Sequence, residues 1–242
     1  MPTPTRTAAI AETLHSARFA PYRAYCAGND QEALKLYRWN LELSAAFHEV
    51  LSVTEVALRN AIDCQLRIWN PAQGQGFTTD WAVDGMAAPL GSLVGQKRLE
   101  VAEEQAARAQ NRRLKEQDHR RHKIAVDHND LLTQFTFGLW RDLLPNGKTQ
   151  ARRVLWNEAL VHAFPHENDP TGSLTFQRVS RLHALRNRVG HMEHLLYSKP
   201  GKKHRDALLL VRSICPSTME WLSGVSRVPI LLKNCPVESI SL

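Results

Sequence analysis

Between positions 29 and 69 the chain contains neither Pro nor Gly, and no other feature restricts its fold so strongly. Asn29 and Asp30 are favourable N-cap residues, and Gln31 and Glu32 suit a first helical turn. Tyr37, Leu41, Ser44, His48, Leu51, Glu55, Leu58 and Ile62 then recur at three- and four-residue spacing. That period predicts one face of a single long helix, or of two helices joined end to end. Residues 70–95 hold two Pro and five Gly and read as a loop region pinned by Trp81. Further helices are expected over 96–117, 129–144 (ending at Pro145-Asn146-Gly147) and 149–164 (ending at Pro165). After the loop HENDPTG, Ser173 is placed to cap a helix running through Arg186 toward Gly190. Pro200-Gly201 reads as a turn, and a last amphipathic helix is expected over 203–222, bent near Pro216. The final twenty residues, with Pro229 and Pro236, are assigned no regular structure. No segment shows convincing period-two alternation, so the expected class is all-α.

The 242 residues suffice to bury a substantial core, and 43% hydrophobic with 23% charged residues describes a globular chain. No apolar run is long enough to span a membrane, and the first residues lack the apolar stretch of a signal peptide. A cytoplasmic protein without membrane association is therefore expected. Cys26, Cys64, Cys215 and Cys235 are scattered without CxxC spacing, against a structural zinc site or a disulfide framework. The formal net charge is +7, which suggests an acidic partner, with RNA or DNA the commonest class. The excess is local. Arg178, Arg181, Arg186, Arg188, Lys199, Lys202, Lys203, Arg205 and Arg212 face only Glu193 and Asp206 within 178–212, and the remainder is neutral on balance.

Signatures of other chemistries are missing: there is no GxSxG, no P-loop and no GxGxxG. His119-x-x-His122, with His128 nearby, lies in a basic run and reads as a solvated polar helix end. His191-Met192-Glu193-His194 lacks the HExxH spacing that puts two imidazoles on one helical face, so no metal and no cofactor are expected.

The run Arg186-Asn187-Arg188-Val189-Gly190-His191 is the candidate for chemistry. An imidazole titrating near neutrality can take the proton of a ribose 2′-hydroxyl or protonate the departing 5′-oxygen. A guanidinium can hold the negative charge that grows on the phosphoryl group. Spacing alone does not single out this pair, because Arg178 with His183 has it too, and about one such pair arises by chance in this composition. On an ideal helix five residues separate two side chains by roughly 140°, whereas Asn187 and His191, four apart, share a face. A working site needs the helix to bend or end at Gly190, or a second chain to complete it.

The run LRNRVGHMEHLL resembles the motif of Abi-like proteins, a branch of the HEPN superfamily of small helical proteins, many of them metal-independent RNases. Arg186, Asn187 and His191 match the family pattern of Arg, a polar residue and a following His; Arg178, followed by Val179, departs from it. Positions 36–62, 135–144 and 155–165 resemble the same family, and the likeness covers roughly 20–222 in consistent order. One departure is Gly190-His191-Met192-Glu193, where the family pattern leads one to expect Ala-His-His-Glu. The resemblance implies an HEPN-like bundle of long antiparallel helices over residues 29–222, flanked by an N-terminal helical arm (1–28) and a C-terminal tail (223–242). It further implies a homodimer whose two Arg/His helices face one cleft, so that Arg and His can come from opposite chains. Its implied role is RNA cleavage in abortive infection or toxin–antitoxin defence, with an antitoxin or regulatory protein as a partner.

Glu55, Arg59 and Asn60 form a second polar cluster, in which Glu55 and Arg59 suit an i,i+4 ion pair. The structural reading makes them a helix-surface pair; the functional one sets Glu55 beside His191, orienting the imidazole. Arg188 is a further supporting cation. Trp39, Trp140 and Trp156 occupy apolar helical positions and are expected in the core. Two functions are thus open: a metal-independent endoribonuclease with Arg186, Asn187 and His191 as catalytic residues, and an HEPN-like module that binds RNA or a protein without cutting.

Overall fold

A computed structural model describes residues 3–237, and among these every regular element is helical. In chain order the helices are α1 (Pro4–Thr13), α2 (Ser16–Tyr25), α3 (Asp30–Trp69), α4 (Trp81–Asp84), α5 (Leu90–Val94), α6 (Gln96–Arg113) and α7 (His128–Gln134). They continue as α8 (Phe137–Leu143), α9 (Gln150–Glu158), α10 (Ser173–Gly190), α11 (Pro200–Ile214), α12 (Pro216–Val225) and α13 (Val228–Lys233). The all-α class expected from the sequence is the observed one. No helix among the described residues is long and apolar enough to cross a membrane.

The chain forms two compact units. The first takes Met1–Thr54, Arg181–Arg212 and Pro216–Leu242; the second takes Glu55–Ser180 and Ser213–Cys215. The sequence reading divides the chain instead at 28/29 and 222/223.

In the first unit, α3 opens as the sequence implies. The Asn29 side chain accepts from the backbone N–H groups of Gln31 (3.0 Å) and Glu32 (3.2 Å), satisfying donors that a helix start leaves without partners. The buried row of this half is not the predicted one. Leu36, Trp39, Leu43, Phe47 and Val50 are buried, whereas Leu41 and His48 are exposed. The row that starts at Leu36 carries the larger apolar side chains, and burying each such group contributes about 1.5–3 kcal/mol. Farther along, Leu51, Leu58 and Ile62 are buried as expected. Pro200-Gly201 is not a turn but the first turn of α11, where a prolyl nitrogen costs no helical hydrogen bond. The last segment also departs from expectation, since α13 is helical. Pro229 sits in its first turn, Val228 is buried, and the Leu231 carbonyl accepts from the Trp39 indole N–H at 2.8 Å. Residues 238–242 of the expected tail lie outside the described residues.

In the second unit the Pro/Gly-rich stretch is tied down by buried polar groups. Trp81 is fully buried and donates to Asp63 (2.8 Å). Asn70, also fully buried, donates to the carbonyls of Thr78 (2.9 Å) and Gly85 (3.0 Å) and accepts from the Ala87 N–H (2.9 Å). The helix expected over 129–144 is broken into α7 and α8. Phe135 is extended there, its ring lying near-parallel to that of Trp81 with centroids 6.0 Å apart, and Thr136 is the N-cap of α8. Asp169, not Ser173, satisfies the start of α10, accepting from the Thr175 N–H at 2.7 Å. Gly172 precedes that helix at φ +69°, and a Cβ there would fall 2.8 Å from the Trp156 ring and collide with Pro145, so glycine is required. Trp140 and Trp156 are buried here, as Trp39 is in the first unit.

Candidate functional site

The C-terminal end of α10 carries Arg186, Asn187, Arg188 and His191, all within the first unit. The helix ends at Gly190. The His191 N–H makes the last helical bond, donating to the Asn187 carbonyl at 2.9 Å. The helix then closes with two bonds: Met192 N–H to the Val189 carbonyl (3.1 Å) and Glu193 N–H to the Arg188 carbonyl (2.8 Å). That pair satisfies the last carbonyls and places Met192 in the left-handed position, at φ +56°. His191 is therefore the C-cap, exposed, and next to the helix's electronegative terminus.

Arg186 reaches the same turn by its length. Its guanidinium Nη1 lies 3.9 Å from where a Cβ on Gly190 would stand, so the side chain runs toward the helix C-terminus rather than straight outward. The guanidinium thus lies one turn along its own face, and the roughly 140° between the Cβ directions of Arg186 and His191 is not closed within the helix. Asn187 is half-buried, and Arg186 and His191 are exposed. Arg188 is partly engaged, its Nη1 standing 3.5 Å from Glu193.

The local positive charge is reduced by internal pairs. Arg178, buried in the second unit, bonds Glu167; Arg181 holds Asp206 with two hydrogen bonds, at 2.6 and 2.8 Å. Arg186, Lys199, Lys202, Arg205 and Arg212 make no ion pair among the described residues. These five exposed cations of the 178–212 stretch are available to a polyanion.

A surface cleft of about 580 Å3 adjoins the turn, lined by His15, Arg18, Pro21, Tyr22, Met192 and His194 among others. Arg18 donates to the Met192 carbonyl at 2.6 Å. His194 stacks edge-on against Tyr197 (centroids 5.3 Å) and Tyr22 (6.3 Å). Burial, with the nearby Arg188 charge second, lowers the pKa of His194 and so favours its neutral imidazole. Burial, then the neighbouring Tyr37, raises the pKa of the Tyr22 hydroxyl. Neither Arg18 nor Tyr22 is signalled by any motif; both come to the turn only through packing of α2.

The second polar cluster lies in the second unit. Glu55 and Arg59 are half-buried, Asn60 is exposed, and the Arg59 Nε donates to the Asn60 Oδ1 at 3.3 Å. The three histidines near 120 do not share a ligand geometry: His119 accepts from the Arg121 N–H (3.0 Å), His122 lies 2.9 Å from the Arg113 carbonyl, and His128 is buried against Asp63 at 2.9 Å. Among the described residues no group of three His, Cys, Asp or Glu side chains is placed to hold a metal ion.

The end of α10 offers an exposed imidazole and an unpaired guanidinium in the turn before it, groups that can bind a phosphodiester and move a proton at it. Comparison with protein-family models, with curated proteins and with solved structures returns no match.

Proposed function

We propose that this chain is a metal-independent endoribonuclease of the Abi-like HEPN type, acting in defence by abortive infection or as a toxin. The observation that carries the reading is the Arg186 guanidinium lying along Gly190 in the turn that exposes His191. In this mechanism His191 accepts the proton of the ribose 2′-hydroxyl as its oxygen bonds to phosphorus. The bond from phosphorus to the 5′-oxygen breaks, and a protonated imidazole returns a proton to that oxygen. Arg186 stabilises the extra charge on the phosphoryl oxygens, and Asn187 positions a phosphate or one of the pair. The products carry a 2′,3′-cyclic phosphate and a 5′-hydroxyl. No side-chain hydrogen bond orients His191 among the described residues, so the orienting group comes from the substrate or from a second copy of the chain.

Incubation of total RNA in EDTA with wild type and with His191→Ala is the test. Cleavage by wild type alone, leaving cyclic phosphate ends, is expected. Equal cleavage by both proteins, or cleavage only on adding Mg2+, overturns the mechanism. RNA retained with a steep salt dependence but left intact supports the binding-module reading instead. Induced expression gives a second readout, because the nuclease arrests growth and a pure binder does not.

A further inference from the structure

In the second unit, arginines from two helices hold one carboxylate, and a third helix brings a further arginine within reach of their charge. Arg98 stands in the first turn of α6, Arg141 near the end of α8 and Arg152 in the first turn of α9. The short helix α5 packs against all three, through a segment whose Leu90 and Val94 are buried. Asp142 is the centre. Its Oδ2 accepts from Arg98 Nη2 at 2.6 Å, and its Oδ1 accepts from Arg141 Nη2 at 2.7 Å and Nε at 3.0 Å.

Both carboxylate oxygens are therefore already engaged when the third guanidinium arrives. Arg152 is half-buried, makes no ion pair among the described residues, and its buried Nε has no hydrogen-bond partner. The charge of Asp142 acts on it favourably, against the like charges of Arg141 and Arg98. Burial, followed by those two arginines, pushes its pKa down from the ordinary guanidinium value. One carboxylate against three guanidinium groups leaves a local surplus of positive charge, and the half-buried Arg152 Nε is the donor that finds no partner.

We propose that this cluster binds a phosphoryl dianion, the terminal phosphate of a phosphomonoester. Guanidinium forks match tetrahedral oxyanions with paired hydrogen bonds, better than they match a spherical ion. A phosphomonoester carries about −1.5 to −2 at neutral pH, which balances the surplus. A phosphodiester or a simple carboxylate carries only one charge. Entry is open, since the Arg98 side chain is 48% exposed and that of Arg141 32%. Asp142 acts as the organiser that holds two of the forks in place, and Arg152 supplies the uncommitted donors. The assignment stands apart from the cleavage reading, because it uses none of the residues on the α10 end.

Titration calorimetry of the full chain with inorganic phosphate, dimethyl phosphate, adenosine 5′-monophosphate and adenosine tests it. Wild type is expected to bind phosphate and the nucleotide, with dimethyl phosphate at least about tenfold weaker and adenosine not bound. Arg152→Gln, which keeps a polar side chain and removes the charge, is expected to lose about tenfold or more in phosphate affinity, the effect of one charge-assisted contact. Circular dichroism checks that the variant is folded; if it is not, the exposed Arg98→Gln carries the same expectation. No phosphate binding by wild type, or unchanged affinity in the folded variant, overturns the site. Equal binding of dimethyl phosphate overturns the dianion assignment, and equal binding of adenosine overturns the phosphate one.

Discussion

The Arg18 guanidinium donates to the Met192 carbonyl oxygen at 2.6 Å, joining α2 to the turn that ends α10 across 174 positions of sequence. Met192 stands at φ +56°, where a side chain with a Cβ costs about 1–2 kcal/mol relative to glycine. Arg18 therefore holds the strained residue next to His191. Arg18→Ala is expected to lower stability by about 1 kcal/mol, discounted for the exposure of this side chain. Met192→Gly is expected to raise it by a similar amount. Urea denaturation of the two variants checks both signs; a neutral Arg18→Ala removes the proposed tie.

Gly190 gives a second prediction on the same helix. It has helical backbone geometry, and a Cβ added there meets only the Arg186 Nη1, at an ordinary contact distance of 3.9 Å. Replacement by alanine removes backbone freedom from the unfolded chain without a clash. Gly190→Ala should stabilise the protein by about 0.5–1 kcal/mol, and thermal denaturation measures it. A destabilised variant would mean that the glycine is needed for the shape of this turn.

The buried centre of the second unit supplies a third. Asp63 accepts from Trp81 and from His128, and all three side chains are buried. Asp63→Ala leaves two donors without partners in the interior, with an expected loss of about 3–5 kcal/mol. Asp63→Asn keeps an acceptor for the indole and should lose markedly less. Chemical denaturation of both variants makes the comparison, and equal losses would place the role of Asp63 in packing rather than in hydrogen bonding.

What was legible in the sequence follows from where the determining physics lies. The start of α3 could be read because Asn29 is a local cap and no Pro or Gly interrupts the helix beyond it. The burial of Trp81 could be read because the largest ring in a Gly-rich stretch has few other places to go. The break at Phe135 could not, since no Pro or Gly marks it; the ring leaves the helical path to lie against Trp81, a choice made by tertiary packing. Pro229 misled because proline stops a helix from within yet suits its first turn. Arg186, Asn187 and His191 stand out through a motif at the end of one helix. The link from Arg18, and the meeting of Arg98 with Asp142, depend on segments far apart in sequence, where composition carries no signal.

His204 yields the last prediction. It is buried on α11, with its Nε2 2.9 Å from the Ser226 hydroxyl, and burial lowers its pKa below the ordinary 6.5. The folded protein then binds fewer protons at this site than the unfolded chain does, so stability rises with pH across the interval between the two pKa values. The contribution is complete above pH 6.5 and is lost as the pH falls toward the folded value. His194 is shifted in the same direction and adds to the same slope. The melting temperature should therefore fall on acidification below pH 6.5. His204→Gln, which retains a polar partner for Ser226 but does not titrate, should show a shallower fall. Thermal denaturation of both proteins from neutral to mildly acidic pH checks this, and parallel curves would show that His204 is not among the groups that set the acid limit of the fold.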